Sequence, residues 1–263
     1  MAVSVSLKKL AEILGLAPST VSRALKGHPD ISRATQERVR ALAQELHYKP
    51  SALALSLRNK RSNSIAMLVP FLGNYFYACA VSSVIRSAYS SGYKVIVFEN
   101  GEDYEQEVKI CQFLQKSGID GLVVAPARTT NDLDHFVKLQ HEGIPMVFFD
   151  RICTGILTDR VVVDDYAGVC SAVEYLIRSG CRRIAFFGSP SHLAISNNRR
   201  MGYEDALRKN GLPVDKELIK ICDNYTEALR LTPELLSLPN RPDAFFAVND
   251  ETAIGVLNVV KAK

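Results

Sequence analysis

The spacing of apolar residues changes near residue 64. Before that point apolar residues recur every three or four positions, which is the period of amphipathic helices. After it, short apolar runs of strand length alternate with helical stretches. Strands alternating with helices predict a parallel sheet that helices cover on both faces. We therefore predict a small all-α domain followed by a larger α/β core.

The first predicted helix begins after Ser6, whose side chain suits an N-cap. Leu7, Leu10, Ala11 and Leu14 recur at helical spacing and would share one apolar face. This face predicts a short amphipathic helix that packs against a partner.

A second short helix is predicted after a turn at Gly15, where a residue without a Cβ can adopt positive φ. Val21 and Leu25 would face inward. The outer face would carry Pro18, Ser19, Ser22 and Arg23. A helix-turn-helix has this division, with one bracing helix and one polar helix for the major groove of DNA. The spacing alone leaves open an ordinary helical hairpin with a solvated polar face.

A third helix is predicted from a cap at Ser32 to about residue 47. Its apolar stripe comprises Val39, Leu42, Ala43 and Leu46. Three arginines on it could reach phosphates or could simply be solvated: Arg33, Arg38 and Arg40. Three short helices of this kind predict a compact N-terminal domain over residues 1–49.

The charge is divided unevenly between the two parts of the chain. The whole sequence of 263 residues has a formal charge of +4, but residues 1–62 carry 11 Lys and Arg against 4 Asp and Glu. The remainder carries 21 against 24. A basic head on a slightly acidic body is typical of binding to a phosphate backbone, although a solvated basic surface would give the same count.

Several classes of protein find no support in the sequence. No apolar run is long enough to cross a bilayer, and no signal peptide is recognisable, so we expect a cytoplasmic protein without a membrane partner. Phosphate-binding glycine motifs and the nucleophile-elbow motif are absent, and we expect neither a catalytic centre nor a cofactor. Six scattered cysteines without metal-site spacing predict buried or half-buried free thiols and no metal site.

The N-terminal residues resemble the headpiece of the lactose- and purine-repressor (LacI/GalR) family. The matching positions are Ser6-Leu7, Ala11, Gly15-Leu16 and Ser19-Thr20-Val21-Ser22-Arg23. The resemblance implies a DNA contact surface of Leu7, Pro18, Ser19, Thr20, Ser22 and Arg23, with Ser19 and Arg23 reading bases. Ala17 stands where the family usually has a serine N-cap, a loss of about 0.5–2 kcal/mol at that helix start.

Residues 50–63 are predicted to be a hinge helix and linker. A helix of this length is only marginally stable alone. The resemblance implies that it becomes ordered on operator DNA beside a second copy, with Leu57 as a minor-groove wedge and Arg58 next to it. The apolar neighbours Leu53 and Leu55 blur its amphipathic pattern, so a plain linker is the alternative.

The remaining chain is predicted to form two doubly wound lobes, similar to periplasmic sugar-binding proteins. The first covers residues 64–160 and the second residues 161–263, with a strand near residues 161–164 opening the second lobe. Family members continue beyond the position of Lys263, so we expect an incomplete second lobe and a truncated chain. An uncovered sheet edge would follow.

A ligand cleft is expected between the lobes, where loops follow the strand ends. The resemblance implies effector-binding residues at Asn74, Tyr75, Phe76, Asp150, Arg151, Arg199, Tyr225 and Asn249. Each has a structural alternative: Tyr225 could belong to the core. Asp250 we interpret as a structural residue that caps the last helix.

The sequence thus predicts a homodimeric transcription regulator that binds a palindromic operator and responds to a small-molecule effector, a sugar or a nucleobase or nucleoside. A regulator with a protein co-effector is the first alternative. An α/β enzyme is a second, but it lacks catalytic residues and leaves the basic head unexplained. A periplasmic solute-binding protein is a third, disfavoured by the missing signal peptide.

Overall fold

The computed structural model describes residues 5–48 and 61–262. Contacts divide the chain into two compact units, residues 1–63 and residues 64–263, called here the headpiece and the core. The predicted hinge residues Leu57 and Arg58 lie outside the described residues.

The described part of the headpiece contains three helices: α1 (Leu7–Leu14), α2 (Pro18–Leu25) and α3 (Arg33–Glu45). The predicted caps are present, since the N–H of Lys9 donates to the Ser6 hydroxyl (3.2 Å) and α3 begins in the same way after Ser32. Gly15 ends α1 with φ at +63°, a conformation that costs glycine little. Helix α2 starts at Pro18 without a side-chain cap, as Ala17 predicts.

Apolar side chains from all three helices form the core of the headpiece. The buried members are Leu10, Ala11, Val21, Ala24, Val39 and Ala43. The other residues of the predicted apolar stripes are half-buried around them, including Leu7, Leu14, Leu25, Leu42 and Leu46. The apolar periodicity thus predicted the packing faces of these helices correctly.

The first sheet of the core has five parallel strands in the order β2-β1-β3-β4-β5. The strands are β1 (Ser64–Val69), β2 (Lys94–Glu99), β3 (Gly121–Val124), β4 (Met146–Phe149) and β5 (Asp159–Val161). The helices between them are α4 (Tyr75–Ser90), α5 (Tyr104–Ser117) and α6 (Asp134–His141). The chain winds first to one side of β1 and then to the other. A crevice therefore opens at the carboxyl ends of the strands, where doubly wound sheets bind ligands.

Helices cover both faces of this sheet, and strand β1 shows it most clearly. Ala66 and Leu68 pack into the layer of α5 and α6, whereas Met67 and Val69 pack against Tyr77 and Val81 of α4. Successive side chains on a strand point to opposite faces, so both faces of β1 need apolar residues. The near-continuous apolar runs that predicted a doubly wound sheet have this origin.

The second sheet has three parallel strands in the order β7-β6-β8 within the described residues. The strands are β6 (Ile184–Gly188), β7 (Ile219–Ile221) and β8 (Ala244–Ala247). The accompanying helices are α7 (Asp165–Arg178), α8 (Ala194–Lys209), α9 (Tyr225–Leu236) and α10 (Asp250–Lys261). A single 3-10 turn at Lys216–Leu218 precedes β7.

The strand expected near residues 161–164 does not open the second lobe. The strand there is β5, which pairs with β4 and forms the edge of the first sheet, with Phe149 opposite Val161. All three of its residues are exposed. An apolar run indicates a strand, but it cannot tell which sheet the strand joins, because pairing is a long-range choice.

Five of the six cysteines are buried or half-buried, as expected, but Cys79 is exposed on α4. Burial raises the pKa of the thiols of Cys153 and Cys222 to about 12, which keeps both in the protonated form. Among the described helices, none combines the length and apolar character needed to cross a bilayer.

Candidate functional sites

The outer face of α2 is the candidate DNA-binding surface. Pro18, Ser19 and Arg23 are exposed, and Thr20 and Ser22 are half-buried. Ser19 and Arg23 are four residues apart, so they are neighbours on one side of the helix. Leu7, the remaining predicted contact in the described headpiece, packs against the headpiece core instead of standing free.

A cleft of about 650 Å³ lies in the core at the carboxyl ends of both sheets. Six of the predicted effector residues line it: Asn74, Phe76, Asp150, Arg151, Arg199 and Asn249. They come from different loops and helices, and the fold brings them together because parallel strands end on a common edge.

Asp150 follows β4 and lines the cleft. The hydroxyl of Tyr77 donates to its Oδ2 at 2.7 Å. Burial raises the pKa of Asp150 above that of a free carboxyl, against the hydrogen bond from Tyr77 and the charge of Arg151, which lower it. Burial likewise raises the pKa of Tyr77, so the phenol stays a donor.

Glu102 holds the neighbouring arginine in place. Its two carboxylate oxygens accept from Nη1 and Nη2 of Arg151 at 2.6 and 2.9 Å. Oε2 also accepts from the backbone N–H of Arg128 at 2.6 Å. Glu102 has φ at +62° and Asp150 has φ at +60°, values that non-glycine residues adopt infrequently. Strained backbone at two residues of one cleft is typical of functional sites.

Contacts of Arg128 connect the loops of the first sheet to those of the second. Nη1 of Arg128 lies 2.7 Å from Oδ1 of Asp223, whose side chain is 7% exposed. Nε2 of His192 lies 2.7 Å from the carbonyl oxygen of Arg128. Arg128 therefore contacts both sheets' loops at the mouth of the cleft.

Arg199 projects from α8 and is fixed at two points. Its Nε donates to Oδ1 of Asp165 at 2.7 Å, and its Nη1 donates to the carbonyl of Val248 at 3.1 Å. Asn249 caps α10 by accepting from the N–H of Thr252, and its Nδ2 donates to the carbonyl of Asp223. The N-cap of α10 is therefore Asn249 and not Asp250, which is the first residue of the helix.

Asn74 and Phe76 belong to the start of α4. Asn74 caps this helix, since its Oδ1 accepts from the N–H of Phe76 at 3.0 Å. The ring of Phe76 is 53% exposed although it meets Tyr77 edge-on, with 5.2 Å between centroids. An exposed aromatic ring at a polar cleft can cover the apolar side of a ligand.

Tyr75 and Tyr225 are not among the residues that line the cleft. Tyr75 is 83% exposed on α4. Tyr225 begins α9, and its hydroxyl accepts from Asn258 of α10 at 3.0 Å. A Cβ at Gly255 would lie 2.9 Å from the carbonyl oxygen of Tyr225, so the two helices touch here. Tyr225 therefore serves the packing of these two helices in this structure.

The lining residues that were not predicted as effector contacts include four with long-range polar partners: Tyr77, Glu102, Arg128 and Asp223. The sequence favours solvated charge at Glu102, because the adjacent carboxylates of Glu102 and Asp103 would point apart on a regular element. Its partner Arg151 is 49 residues away, and Arg128 is 95 residues from Asp223. No local sequence pattern predicts ion pairs between residues so far apart in the chain. In the described part of the chain, no group of three His, Cys, Asp or Glu side chains is placed to hold a metal ion.

Two family models match the chain. One, described as bacterial regulatory proteins of the lacI family, matches residues 6–51. The other, described as periplasmic binding proteins and sugar binding domain of LacI family, matches residues 62–263. The second match alone covers most of the chain.

Similar proteins agree with these matches. The chain is 28% identical over 260 residues to the HTH-type transcriptional repressor PurR of Vibrio atlanticus, covering 98% of this chain and 77% of that protein. It is 28% identical over 257 residues to the repressor CytR of Escherichia coli K12, with coverage of 97% and 75%.

Solved structures show the same architecture. The transcriptional regulator CelR in complex with cellobiose gives a TM-score of 0.69 at 26% identity, over 98% of this chain and 78% of that one. The lac repressor dimer bound to operator and an anti-inducer gives 0.80 at 21% identity, over 99% and 78%, and so supports the fold. Helical headpiece, cleft-bearing α/β core and both family models lead to one conclusion: the chain belongs to the LacI family of bacterial regulatory proteins.

Proposed function

We propose that this chain is a sequence-specific DNA-binding transcription regulator, a repressor, whose operator affinity depends on a small molecule held in the cleft of the core. The observation that carries this proposal is the exposed polar face of α2, with Ser19 and Arg23 side by side, in a headpiece that the lacI family model matches. The relatives PurR and CytR are named as transcriptional repressors.

The DNA contacts follow from the exposure of α2. This helix enters the major groove, where Arg23 can donate two hydrogen bonds to O6 and N7 of a guanine. Ser19 reads a neighbouring base. Pro18, Thr20 and Ser22 lie beside them, and arginines of α3 meet the phosphates.

The operator is palindromic, because a two-fold homodimer presents the same helix to two half-sites. Leu57 and Arg58 contact the minor groove between the half-sites, as the family resemblance implies. The protein acts in the cytoplasm, where its DNA target lies.

The effector is a sugar, a nucleobase or a nucleoside. Asp150 and Arg199 can accept from and donate to neighbouring hydroxyl groups, and Phe76 can cover an apolar face. The effector shifts DNA affinity only as far as it binds the two forms of the core differently. The core binds this molecule without converting it, so the ligand should be recovered unchanged by chromatography after prolonged incubation with the protein.

The test begins with selection of bound duplexes from a random DNA pool, which returns the operator and its half-site spacing. Mobility shift at fixed salt then compares the wild type with Arg23→Ala. We expect about a 10–100-fold loss of specific affinity and little loss of non-specific affinity, the value of one bidentate base contact.

Arg38→Ala is the matched control, since Arg38 is an exposed arginine of α3 outside the recognition face. Removal of a phosphate-binding guanidinium at this position should weaken binding to all sequences by a similar factor. Equal losses of specific and non-specific binding in Arg23→Ala would contradict a base contact. A pool that yields no preferred sequence would contradict the proposed function itself.

A further inference from the structure

The wall of the cleft carries more carboxyl groups than guanidinium groups. The carboxyl groups are Glu102, Asp150, Asp223, Asp250 and Glu251, and the guanidinium groups are Arg128, Arg151 and Arg199. Five acids against three arginines give a negative wall. The field inside a narrow cleft follows the sign of such a lining.

Each of the three arginines is already paired with a carboxylate of the protein. Arg151 forms two bonds with Glu102, Arg128 pairs with Asp223 at 2.7 Å, and Arg199 pairs with Asp165 at 2.7 Å. These are charge-assisted bonds at short distances. An anionic ligand would have to replace them and leave a partly buried carboxylate without its counter-charge.

The acidic excess does not depend on Asp150. Burial raises the pKa of this carboxyl, which favours its neutral form, yet the other four lining acids still outnumber the arginines. Asp165 adds a further acid behind Arg199. Within the described residues, no ion pair involves Asp250 or Glu251 at the start of α10.

We infer that the cleft selects an uncharged, hydroxyl-rich effector and excludes phosphorylated forms of the same skeleton. The inference rests on the proposed function and narrows its effector class. A hydroxyl group both donates and accepts, so it matches the acceptor oxygen of Asp150 and the remaining N–H groups of Arg199 without changing any ion pair. A phosphate group presents only negatively charged acceptor oxygens, which the acidic wall repels.

One feature of the cleft favours the opposite result. Helix α8 begins there after Leu193 without a side-chain cap, and a helix N-terminus attracts anions. The helices α4, α9 and α10 begin with side-chain caps at Asn74, Asn224 and Asn249. Inorganic phosphate is therefore the sharpest probe, because it would bind at α8 if the acidic wall were ineffective.

The first experiment measures binding of inorganic phosphate to the full chain by calorimetry, against chloride at matched ionic strength. We expect no binding to the wild type beyond the chloride reference. The double variant Asp250→Asn with Glu251→Gln should bind phosphate measurably, at least about 10-fold more tightly than the upper limit of affinity set for the wild type, since two like charges are removed. Glu142→Gln, an exposed acid after α6, is the control and should match the wild type.

Saturable binding of phosphate to the wild type would overturn the inference. The inference would also fail if the double variant, shown to be folded by its thermal transition, gained no affinity. The result is decided by phosphate alone, whether or not the natural effector is known.

The second experiment uses matched pairs: glucose with glucose 6-phosphate, ribose with ribose 5-phosphate, and adenosine with its 5′-monophosphate. In any pair that binds, we expect the uncharged member to bind at least about 10-fold more tightly. Tighter binding of a phosphorylated member would overturn the inference. If no pair binds, the phosphate experiment decides.

Failure of this inference is distinguishable from failure of the proposed function. Selective DNA binding combined with tight phosphate or sugar-phosphate binding would contradict the inferred charge selectivity of the cleft but would leave the proposed regulatory function standing. Absence of any sequence preference in the DNA selection would contradict the proposed regulatory function, whatever the cleft binds.

Discussion

The headpiece and the cleft edge of the first sheet are stabilised in opposite ways. Polar contacts in the headpiece are local: the hydroxyls of Ser6 and Ser32 each accept from the backbone N–H three residues ahead. At the cleft edge, Glu107 accepts from residues up to 28 positions away, and Glu102 binds an arginine 49 positions away. A DNA-recognition helix needs only an exposed polar face, whereas a ligand cleft needs several loops in fixed positions relative to one another.

The centre of the long-range contacts is Glu107 of α5, which is fully buried. Its carboxylate accepts from Asn100, the N–H of Ala127, Thr130 and His135 at 2.7–3.0 Å. Asn100 in turn accepts from the N–H of Glu102 at 3.0 Å. One buried carboxylate thus fixes the loops after β2 and β3, which carry the cleft residues.

The largest expected effect is therefore Glu107→Ala. Four buried donors would lose their acceptor, and we expect the free energy of unfolding of the core to fall by about 3–5 kcal/mol. Hydrogen exchange followed region by region would show the loss in residues 64–262. Glu105→Ala, an exposed acid one half-turn earlier in α5, is the control and should change the core little. A headpiece that loses as much protection as the core would contradict the comparison.

A smaller effect is expected in the headpiece, where the polar contacts are local. Ser32→Ala removes the side-chain acceptor for the N–H of Thr35, which should lower the free energy of unfolding of the headpiece by about 1 kcal/mol. Hydrogen exchange in the headpiece region of the full chain, measured at increasing denaturant concentration, would determine this loss. Ser32→Asn restores a capping oxygen and should recover most of the loss. Persistence of the full loss in Ser32→Asn would show that something other than the cap was removed.

The smallest effect is expected at Glu204 of α8, on the surface of the second lobe. Hydrogen bonds from Arg200 and Arg208 lower the pKa of this carboxyl in the folded protein. A lowered folded pKa stabilises the protein above the unfolded pKa, and the stabilisation is lost as the pH falls through the folded value. Glu204→Gln should cost about 0.5 kcal/mol near neutral pH and nothing in acid. A difference that stays constant from neutral to acidic pH would contradict the ionic origin.

The locality of a contact also explains which sequence predictions held. The predicted headpiece helices agree with the structure to within a few residues, because the apolar period, the caps at Ser6 and Ser32 and the turn at Gly15 depend only on residues a few positions apart. The strand near residue 161 was predicted, but its sheet was wrong, since the choice between two sheet edges depends on partners far along the chain.

The predictions of the cleft residues divide in the same way, between local sequence features and long-range contacts. Six of eight residues implied by the family resemblance line it, while Tyr75 and Tyr225 do not. Tyr77, Glu102, Arg128 and Asp223 were missed because each is defined by a partner on another loop. Whether the lining residues bind an effector, and whether Ser19 and Arg23 read bases, stay predictions for the experiments above.

The sequence by itself determined the headpiece helices, the exposed face of α2 and the family, because side-chain period and short motifs are local properties. Only the tertiary structure decided that the three arginines of the cleft are already neutralised by Glu102, Asp223 and Asp165. The physical reason is that an ion pair requires two side chains within a few ångströms, and a linear pattern carries no distance between residues tens of positions apart.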